Sequence, residues 1–334
     1  MKKIIAFVLV IIISLCSCSA EDVPQTPEEI ISKAITAQKT AFEIPKTGKL
    51  ISENGLTADD SIANWTVLAA FISGEEEDYP LYLSMLKKDC EEMYSEESKL
   101  LHTRATEWHR RIMLISALGG DPTDFGKKSD GSKIDLLNDG VFDFVGGDVG
   151  KQGVNGYIYA LISVDCANYS VPENSVNTRE SLVSAILEKQ ESDGGFSLIP
   201  GSSDVDLTAM AITALAKYKD DDKVNSAIKK GIDYIVSAQD KTGRFCYHDI
   251  DSSESCSQVI IALCSVGIDP RTYEDLMKNG NSIYDTLLSY ITKDGGFSSS
   301  LPSKESNALS TEQAMLALIA VERFENGKRL YDFT

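Results

Sequence analysis

A helical phrase recurs about every fifty residues along this 334-residue chain, and each copy ends in an apolar run rich in small residues. Three clear copies occupy residues 206–218, 254–267 and 311–322. Three degenerate copies in the same register occupy residues 64–74, 110–119 and 153–164. Repeats of this length bury their apolar surface only against neighbouring repeats. The sequence therefore predicts an array of stacked helical units.

The segments between the phrases predict a second set of helices. They lie at residues 28–40, 82–94, 133–138, 179–190, 223–239 and 282–291. In one of them, Ile228, Ile232 and Ile235 follow helical spacing with charge on the opposite face, which is typical of an outer helix. The phrases themselves are apolar nearly all round, which suits inner helices. Because no polar capping repeat is present, we expect six inner and six outer helices to close into a ring.

Three turn signals separate the predicted outer and inner helices. They are Asp193-Gly-Gly-Phe196, Thr242-Gly-Arg-Phe245 and Asp294-Gly-Gly-Phe297. Glycine allows the positive φ that such a turn needs, and we expect the phenylalanine to plug the rim of the ring. We interpret these motifs as structural turns and not as ligand sites.

Several motifs resemble the prenyltransferase and squalene oxidase repeat superfamily. They lie at residues 151–156, 190–196, 203–210, 254–259, 310–314 and 330–333. The resemblance is closest to a bacterial surface-protein branch related to the cobalamin carriers intrinsic factor and transcobalamin. It implies an all-α (α/α)6 toroid that forms a single domain over residues 29–334. The superfamily mixes cyclases, prenyltransferases, thioester proteins and binders, so the resemblance is specific for fold and weak for activity.

The start of the chain predicts a lipid anchor. Lys2 and Lys3 precede an apolar run, and Leu15-Cys-Ser-Cys18 resembles a lipobox with Cys18 as the lipidated residue. The run is shorter than the ~20 residues that span a bilayer. We expect a signal peptide at 1–17, a tether at 18–28 and an extracellular domain. The anchor would lie on the outer side of the cytoplasmic membrane or at the outer membrane.

Charge and cysteine content narrow the partners further. The net charge of -19 argues against binding to nucleic acid, whose phosphates require Lys and Arg.

Beyond the tether the chain has an odd number of cysteines, so at least one thiol is unpaired within a monomer. Cys256 and Cys264 would lie ~12 Å apart on one helix, too far to bridge. Cys246 could pair with another cysteine, and the sequence does not say which.

Cyclase chemistry is poorly supported. Class II terpene cyclases protonate their substrate with a D-x-D-D motif, and this chain offers Asp204-Val-Asp206-Leu207, in which Leu207 replaces the final acid. Protonating an alkene demands an unusually strong acid. Aromatic residues that could cradle a carbocation are also sparse, since Trp65 and Trp108 are the only tryptophans.

Metal and thioester chemistry are not indicated either. Protein prenyltransferases bind zinc through an Asp-x-Cys pair and a distant His, but no Asp-x-Cys follows the tether. His102, His109 and His248 lack metal-ligand spacing. The segment beginning at Cys256 lacks the Gly-Glu spacer of a thioester protein. We therefore predict no metal and no cofactor.

The remaining candidate for a functional site is a set of polar side chains around one opening of the predicted ring, formed by the first turns of the inner helices. The candidate residues are Trp65, Thr106, Glu107, Arg110, Gln152, Asn155, Asp204, Asp206, Glu254, Gln258, Glu312 and Gln313. Such amide-rich side chains suit a polyol, a peptide or the amides of a corrinoid. Alternatively, Asp206, Glu254 and Glu312 merely cap helices and complement the positive ends of the helix dipoles. A third hypothesis makes Asp206 and Glu254 the acid and base of a carbohydrate-active lyase or hydrolase.

The main prediction is a lipid-anchored toroid that binds a small molecule, a glycan or a protein without catalysis. Cobalamin carriers hold their ligand between the toroid and a β domain, and this chain ends directly after its last predicted helix. We therefore expect at most weak corrinoid binding by this chain alone. The alternative is an enzyme with a toroid active site, either cyclase-like or carbohydrate-active.

Overall fold

The computed structural model describes residues 26–247 and 250–334. Its α-helices are α1 (Pro27–Ala41), α2 (Ser61–Ile72), α3 (Tyr79–Met93), α4 (Thr106–Ala117), α5 (Val154–Asp165), α6 (Arg179–Leu187), α7 (Val205–Leu215), α8 (Asp222–Ala238), α9 (Ser253–Val266), α10 (Ile283–Leu288) and α11 (Ala308–Glu325). The strands β1 (Cys246–Tyr247) and β2 (Ile250–Asp251) form one antiparallel hairpin. The predicted signal peptide, Cys18 and most of the tether lie outside the described residues. None of the helices that are described is long and apolar enough to cross a membrane.

Six helices form a closed inner ring in the described structure. The inner helices pack in the order α2, α4, α5, α7, α9 and α11, and α11 packs back against α2. The helices α1, α3, α6, α8 and α10 pack against this ring from outside. The predicted (α/α)6 toroid is therefore confirmed. An outer helix lies between successive inner helices everywhere except between α4 and α5, and there Gln152, just before α5, hydrogen-bonds Thr106 at the start of α4. All inner helices therefore start at the same end of the lumen.

The third outer position departs from the prediction of a helix over residues 133–138. Lys133 forms an isolated β-bridge with Lys127, and a short π-helical segment follows at Asn138–Phe142. Gly140 lies so close to Trp108 that an added Cβ would come within 2.3 Å of the Trp108 Cβ. The backbone approaches α4 directly here, and the usual layer of outer-helix side chains is missing.

The predicted turns fix the start of the inner helices. Gly194 has φ +90°, and the next-but-one residue, Phe196, is fully buried. The Phe196 N–H donates to Thr208 Oγ1 of α7 at 2.9 Å, and its carbonyl accepts from the Asp204 N–H, also at 2.9 Å. Phe297 makes the equivalent bond to Thr311 of α11 at 3.0 Å. The predicted turns and their buried phenylalanines are confirmed, and each turn sets where an inner helix begins.

The five cysteines of the described chain are free thiols. Cys90, Cys166, Cys256 and Cys264 are buried, whereas Cys246 is exposed. The buried thiols fill the core as small apolar side chains.

Candidate functional site

Three acidic side chains from consecutive inner helices converge at one end of the lumen. Asp206 lies on α7, Glu254 on α9 and Glu312 on α11, each within the first two turns of its helix. The Asp206 carboxyl lies within electrostatic reach of Glu254, and so does the Glu312 carboxyl. We call this end of the lumen the mouth.

None of these three acids is the N-cap of its helix, so the prediction that they cap helices is wrong, although Asp206 and Glu254 lie in the first turn, where a negative charge complements the positive end of the helix dipole. The N-cap residues are Asp204, Ser252 and Asn307, which accept hydrogen bonds from the backbone N–H groups of Leu207 at 2.9 Å, Ser255 at 3.0 Å and Ser310 at 2.8 Å. Asp206 and Glu254 are the second residues of their helices. A different residue therefore satisfies each helix start, which leaves the three acids without a capping role.

Serine hydroxyl groups hold the Glu254 carboxylate. Glu254 Oε2 accepts from Ser252 Oγ at 3.1 Å and from Ser299 Oγ at 3.1 Å. Glu254 Oε1 accepts a short hydrogen bond from Ser310 Oγ of the next inner helix. Because donors from three segments contact this carboxylate, its orientation is fixed before any ligand arrives.

Asp206 is in the opposite situation. Its Oδ1 atom is buried and accepts no hydrogen bond from the protein. Burial, helped by the charges of Asp204 and Glu254 and opposed by a hydrogen bond from the Ser255 hydroxyl, raises the pKa of Asp206 from 3.8 to about 6. Asp206 can therefore hold or release a proton near neutral pH.

Glu312 lies deeper than Asp206. Its side chain is 2% exposed, and its Oε2 atom has no hydrogen-bond partner. Burial, together with the Glu254 charge, raises the pKa of Glu312 well above its usual value. Buried polar groups without partners are rare in folded proteins, and they concentrate where a ligand or a reaction supplies the partner.

An aromatic cluster adjoins the acids. The Trp65 ring lies 6.2 Å from the Tyr159 ring and 6.2 Å from the Tyr331 ring. Trp65 belongs to α2 and Tyr159 to α5, helices that are not neighbours in the ring, so their side chains meet inside the lumen. Tyr331 comes from the chain that follows α11. We call Trp65, Tyr159 and Tyr331 the aromatic cluster.

Amide side chains complete the mouth. Gln258 Nε2 donates to Gln313 Oε1 at 3.1 Å, which joins α9 to α11. The Asn155 Oδ1 atom of α5 is buried without a partner. The mouth thus presents unused acceptor atoms beside half-buried aromatic rings.

Residues 151–333 match the family model of the prenyltransferase alpha-alpha toroid domain. This chain belongs to that family. The matched region contains α5 to α11 and therefore all three acids. No curated protein sequence matches the chain.

Two solved structures share the toroid fold. A complex of a UGL variant with the saccharide dGlcA-Glc-Rha-Glc has a TM-score of 0.55 and 11% sequence identity, covering 88% of this chain and 96% of that one. The unsaturated glucuronyl hydrolase of Bacillus sp. GL1, responsible for the degradation of glycosaminoglycan, has a TM-score of 0.54 and 10% identity, covering 89% and 97%. At these identities the likeness establishes the fold alone. The relation to cobalamin carriers stays a prediction.

Other candidate residues make structural contacts. Glu107 forms ion pairs with Arg110 at 2.6 Å and with Arg111 at 3.1 Å, and Arg111 also pairs with Asp89 of α3. Burial opposes ionisation of Glu107, but the two guanidinium groups prevail and lower its pKa. The toroid uses this cluster to join an inner helix to an outer one.

Gln152 and Asp204 also serve the helix starts. Gln152 Oε1 accepts from Thr106 Oγ1 at 3.0 Å and from the Thr106 N–H at 3.3 Å, at the beginning of α4.

In the described residues, no group of three or more His, Cys, Asp or Glu side chains is arranged to hold a metal ion.

Sequence reasoning missed Tyr159 and Tyr331. Tyr159 follows Asn155 by four residues, the same interval that separates Met210 from Asp206. This i, i+4 spacing on a shared helix face is a signal that could have found Tyr159. Tyr331 reaches the lumen because the chain after α11 folds back, and helical spacing carries no information about that.

Proposed function

We propose that this toroid is a glycan-processing hydrolase whose active site is the mouth, with Asp206 as general acid and Glu254 as general base. The observation that carries the proposal is the contrast between two neighbouring carboxyl groups. The Oδ1 atom of Asp206 is buried without a partner and the pKa of this carboxyl is raised to about 6, whereas four serine hydroxyls, those of Ser252, Ser253, Ser299 and Ser310, surround Glu254. Pairs of acids with divergent environments are typical of glycoside hydrolysis.

In the proposed reaction, Asp206 gives its proton to the glycosidic oxygen, and the bond from that oxygen to the anomeric carbon breaks. A water oxygen forms the new bond to the anomeric carbon. Glu254 takes the proton that this water loses. Exchange with solvent then returns Asp206 to its protonated state and Glu254 to its ionised state.

The remaining residues of the mouth suit a saccharide. Half-buried aromatic rings such as Trp65 and Tyr159 offer flat apolar surfaces for sugar rings. The amide groups of Gln258, Gln313 and Asn155 can donate to and accept from sugar hydroxyls. The structural neighbours are a glucuronyl hydrolase and a saccharide complex. They share only the fold, so they support saccharide chemistry as one that an α/α toroid can host.

The test compares Asp206→Asn with Glu305→Gln. Asparagine cannot donate a proton at useful pH, so Asp206→Asn should lower kcat about 100-fold or more while it preserves binding. Glu305 is exposed on the loop before α11, so Glu305→Gln should retain activity. The measurement is the release of reducing ends from a panel of neutral, amino and uronate glycans. Unchanged turnover in Asp206→Asn would overturn the assignment of Asp206.

Non-catalytic binding is the second candidate, and one observation favours it. The protein's own hydroxyl groups occupy both oxygens of Glu254, which leaves this carboxylate less free to act as a base. Thermal-shift screening of glycans and corrinoids separates the two functions. A ligand that binds tightly but is never turned over, with equal affinity for wild type and Asp206→Asn, would favour a binding protein.

We further propose that Cys18 carries a lipid anchor and that the mouth faces away from the membrane. The orientation is supported by the position of Glu28, near the start of α1. Glu28 borders a small cavity together with Glu322 near the end of α11 and Ser73 just after α2. The tether would therefore leave the toroid at the end of the lumen opposite the mouth. Cys18→Ala should abolish palmitate labelling and detergent partitioning, and continued labelling would contradict the anchor.

A further inference from the structure

The mouth combines unpaired carboxyl groups with aromatic rings. Glu312 is 2% exposed and its Oε2 atom accepts no hydrogen bond from the protein. Asp206 Oδ1 and Asn155 Oδ1 are likewise buried and without partners. A buried acceptor without a hydrogen-bond donor destabilises the protein, so a ligand that donates to these atoms gains hydrogen bonds that the protein itself does not supply. The unused groups are acceptors, which indicates a ligand rich in donors.

The aromatic cluster is a second and independent observation. The Trp65 ring lies 6.2 Å from both tyrosine rings. The Glu312 carboxyl is close enough to Tyr159 and Tyr331 to act on both phenols, and together with burial it raises their pKa values. Aromatic faces beside a carboxylate are the surroundings in which proteins bind organic ammonium groups.

The local charge is also one-sided. The charged groups that shift the pKa values of Asp206, Glu312 and Tyr159 are all carboxylates within the described residues: Asp204, Asp206, Glu254 and Glu312. A uronic acid would bring another carboxylate to these acids and would be repelled. A ligand cation would instead compensate the unpaired charge.

We infer that the mouth contains a subsite for a positively charged amino group, formed by Glu312 and the aromatic cluster and adjoining the general acid Asp206. Combined with the proposed hydrolase function, on which this step rests, the substrate is a glycan that contains an amino sugar with a free ammonium group. The ammonium donates to the orphaned Glu312 Oε2 atom and lies against the faces of Trp65 and Tyr159.

Binding of an ammonium ligand to this subsite should be coupled to the release of a proton. Burial and the Glu254 charge raise the pKa of Glu312 well above its usual value, which favours the protonated form of this carboxyl in the empty site. An ammonium ligand favours the ionised form, and binding therefore releases a proton. The titratable groups that face the ligand are Asp204, Asp206, Glu254, Glu312, Tyr159 and Tyr331. Affinity should fall as the pH is lowered, because protons compete with the ammonium for the Glu312 carboxyl.

Titration calorimetry with glucosamine oligosaccharides tests the subsite, with N-acetylglucosamine and glucuronate-containing oligosaccharides of equal length as references. The glucosamine ligand should bind at least about tenfold more tightly than the N-acetylated one. Repeating the titration in buffers of different ionisation enthalpy should show proton release. Equal affinity for the two ligands would overturn the subsite.

The matched variants are Glu312→Gln and Glu305→Gln. Glu312→Gln keeps the shape and removes the charge, so the preference for glucosamine should fall about tenfold. Glu305 is exposed on the loop before α11, and its variant should keep the preference. Trp65→Leu is a second variant that should also reduce the preference, because it removes an aromatic face. Retained preference in both Glu312→Gln and Trp65→Leu would overturn the inference.

The outcomes separate this inference from the proposed function. Hydrolysis of a neutral glycan that disappears in Asp206→Asn, without a preference for glucosamine, would keep the hydrolase and reject the subsite. Selective binding of glucosamine without turnover of any glycan would keep the subsite and reject the hydrolase.

Discussion

The two ends of the lumen use acidic residues in different ways. At the end opposite the mouth, Asp165 accepts from Arg179 Nε at 2.7 Å, from Lys217 Nζ at 3.1 Å and from the Tyr218 hydroxyl at 2.8 Å. At the mouth, Asp206 has a buried oxygen with no partner. Both are aspartates on inner helices of one ring. The comparison teaches that pairing, and not residue type, separates a structural acid from a candidate site.

The segment after α11 contributes to the difference between the two ends of the lumen because it places Tyr331 beside the acids of the mouth. The Phe333 N–H donates to the Cys166 carbonyl at 2.7 Å, and Arg323 Nε donates to the Arg329 carbonyl at 2.8 Å. These bonds hold Tyr331 in the lumen. Glu322, near the opposite end of the lumen, is an exception to the pairing of acids there, since its Oε1 atom is buried without a partner. Glu322 borders the small cavity beside α1, however, and not the lumen.

The largest expected effect concerns the closed ring that gives the lumen two ends. Removing residues 282–334 deletes α10 and α11, and it exposes the apolar faces of α9, α2 and α1 that α11 covers. Because apolar burial contributes about 25 cal/mol per Å2, we expect the whole domain to unfold. Circular dichroism and calorimetry measure this. A truncated protein that melts as sharply as the full chain would indicate an open solenoid.

The next largest effect is expected when one acid from each end of the lumen is replaced. Asp165→Ala leaves the Arg179 and Lys217 charges without their partner and should lower the free energy of unfolding by about 3 kcal/mol. Asp206→Ala removes an unpaired carboxyl and should leave stability at neutral pH unchanged or raised. Urea unfolding of both variants provides the measurement. Equal destabilisation would show that the mouth acid is as structural as Asp165.

A pH experiment sharpens the same contrast. The pKa of Asp206 is raised from 3.8 to about 6 in the folded state, so between pH 6 and 4 the folded protein binds more protons than the unfolded one. This acid therefore makes stability increase as the pH falls through that window, by on the order of 1 to 3 kcal/mol. Asp206→Asn should lose this contribution. The expectation fails if wild type and variant have parallel profiles of unfolding free energy against pH.

How far the sequence predicts this arrangement depends on the range of the contacts. The inner helices and the buried Phe196 and Phe297 follow from local periodicity and turn chemistry. The π-helical segment does not, because it results from the close approach of Gly140 to Trp108. The capping role expected for Asp206 was wrong because α7 begins at Val205, so the cap falls on the preceding residue. Helix boundaries predicted from sequence differ from the observed ones by one or two residues, and at α7 this difference moves the capping role from Asp206 to Asp204.

The smallest expected effect concerns the amides of the mouth. Gln258 donates to Gln313 at 3.1 Å, whereas Gln190, away from the mouth, donates to the backbone carbonyls of Ala227 at 2.8 Å and Gly194 at 2.9 Å. Gln258→Ala and Gln313→Ala should each weaken ligand binding by about 1 kcal/mol with little change in stability, because their partner is another side chain at the mouth.

Gln190→Ala is the matched control and should show the reverse pattern. Its loss leaves two carbonyl groups without their donor, so stability should fall by about 1 kcal/mol while ligand affinity stays unchanged. The double variant of Gln258 and Gln313 adds a stricter test. If the two amides bind the ligand as one hydrogen-bonded unit, the double variant loses less affinity than the sum of the single variants. Strict additivity would mean that the ligand contacts each amide separately, and unchanged affinity in all three variants would remove the amides from the site.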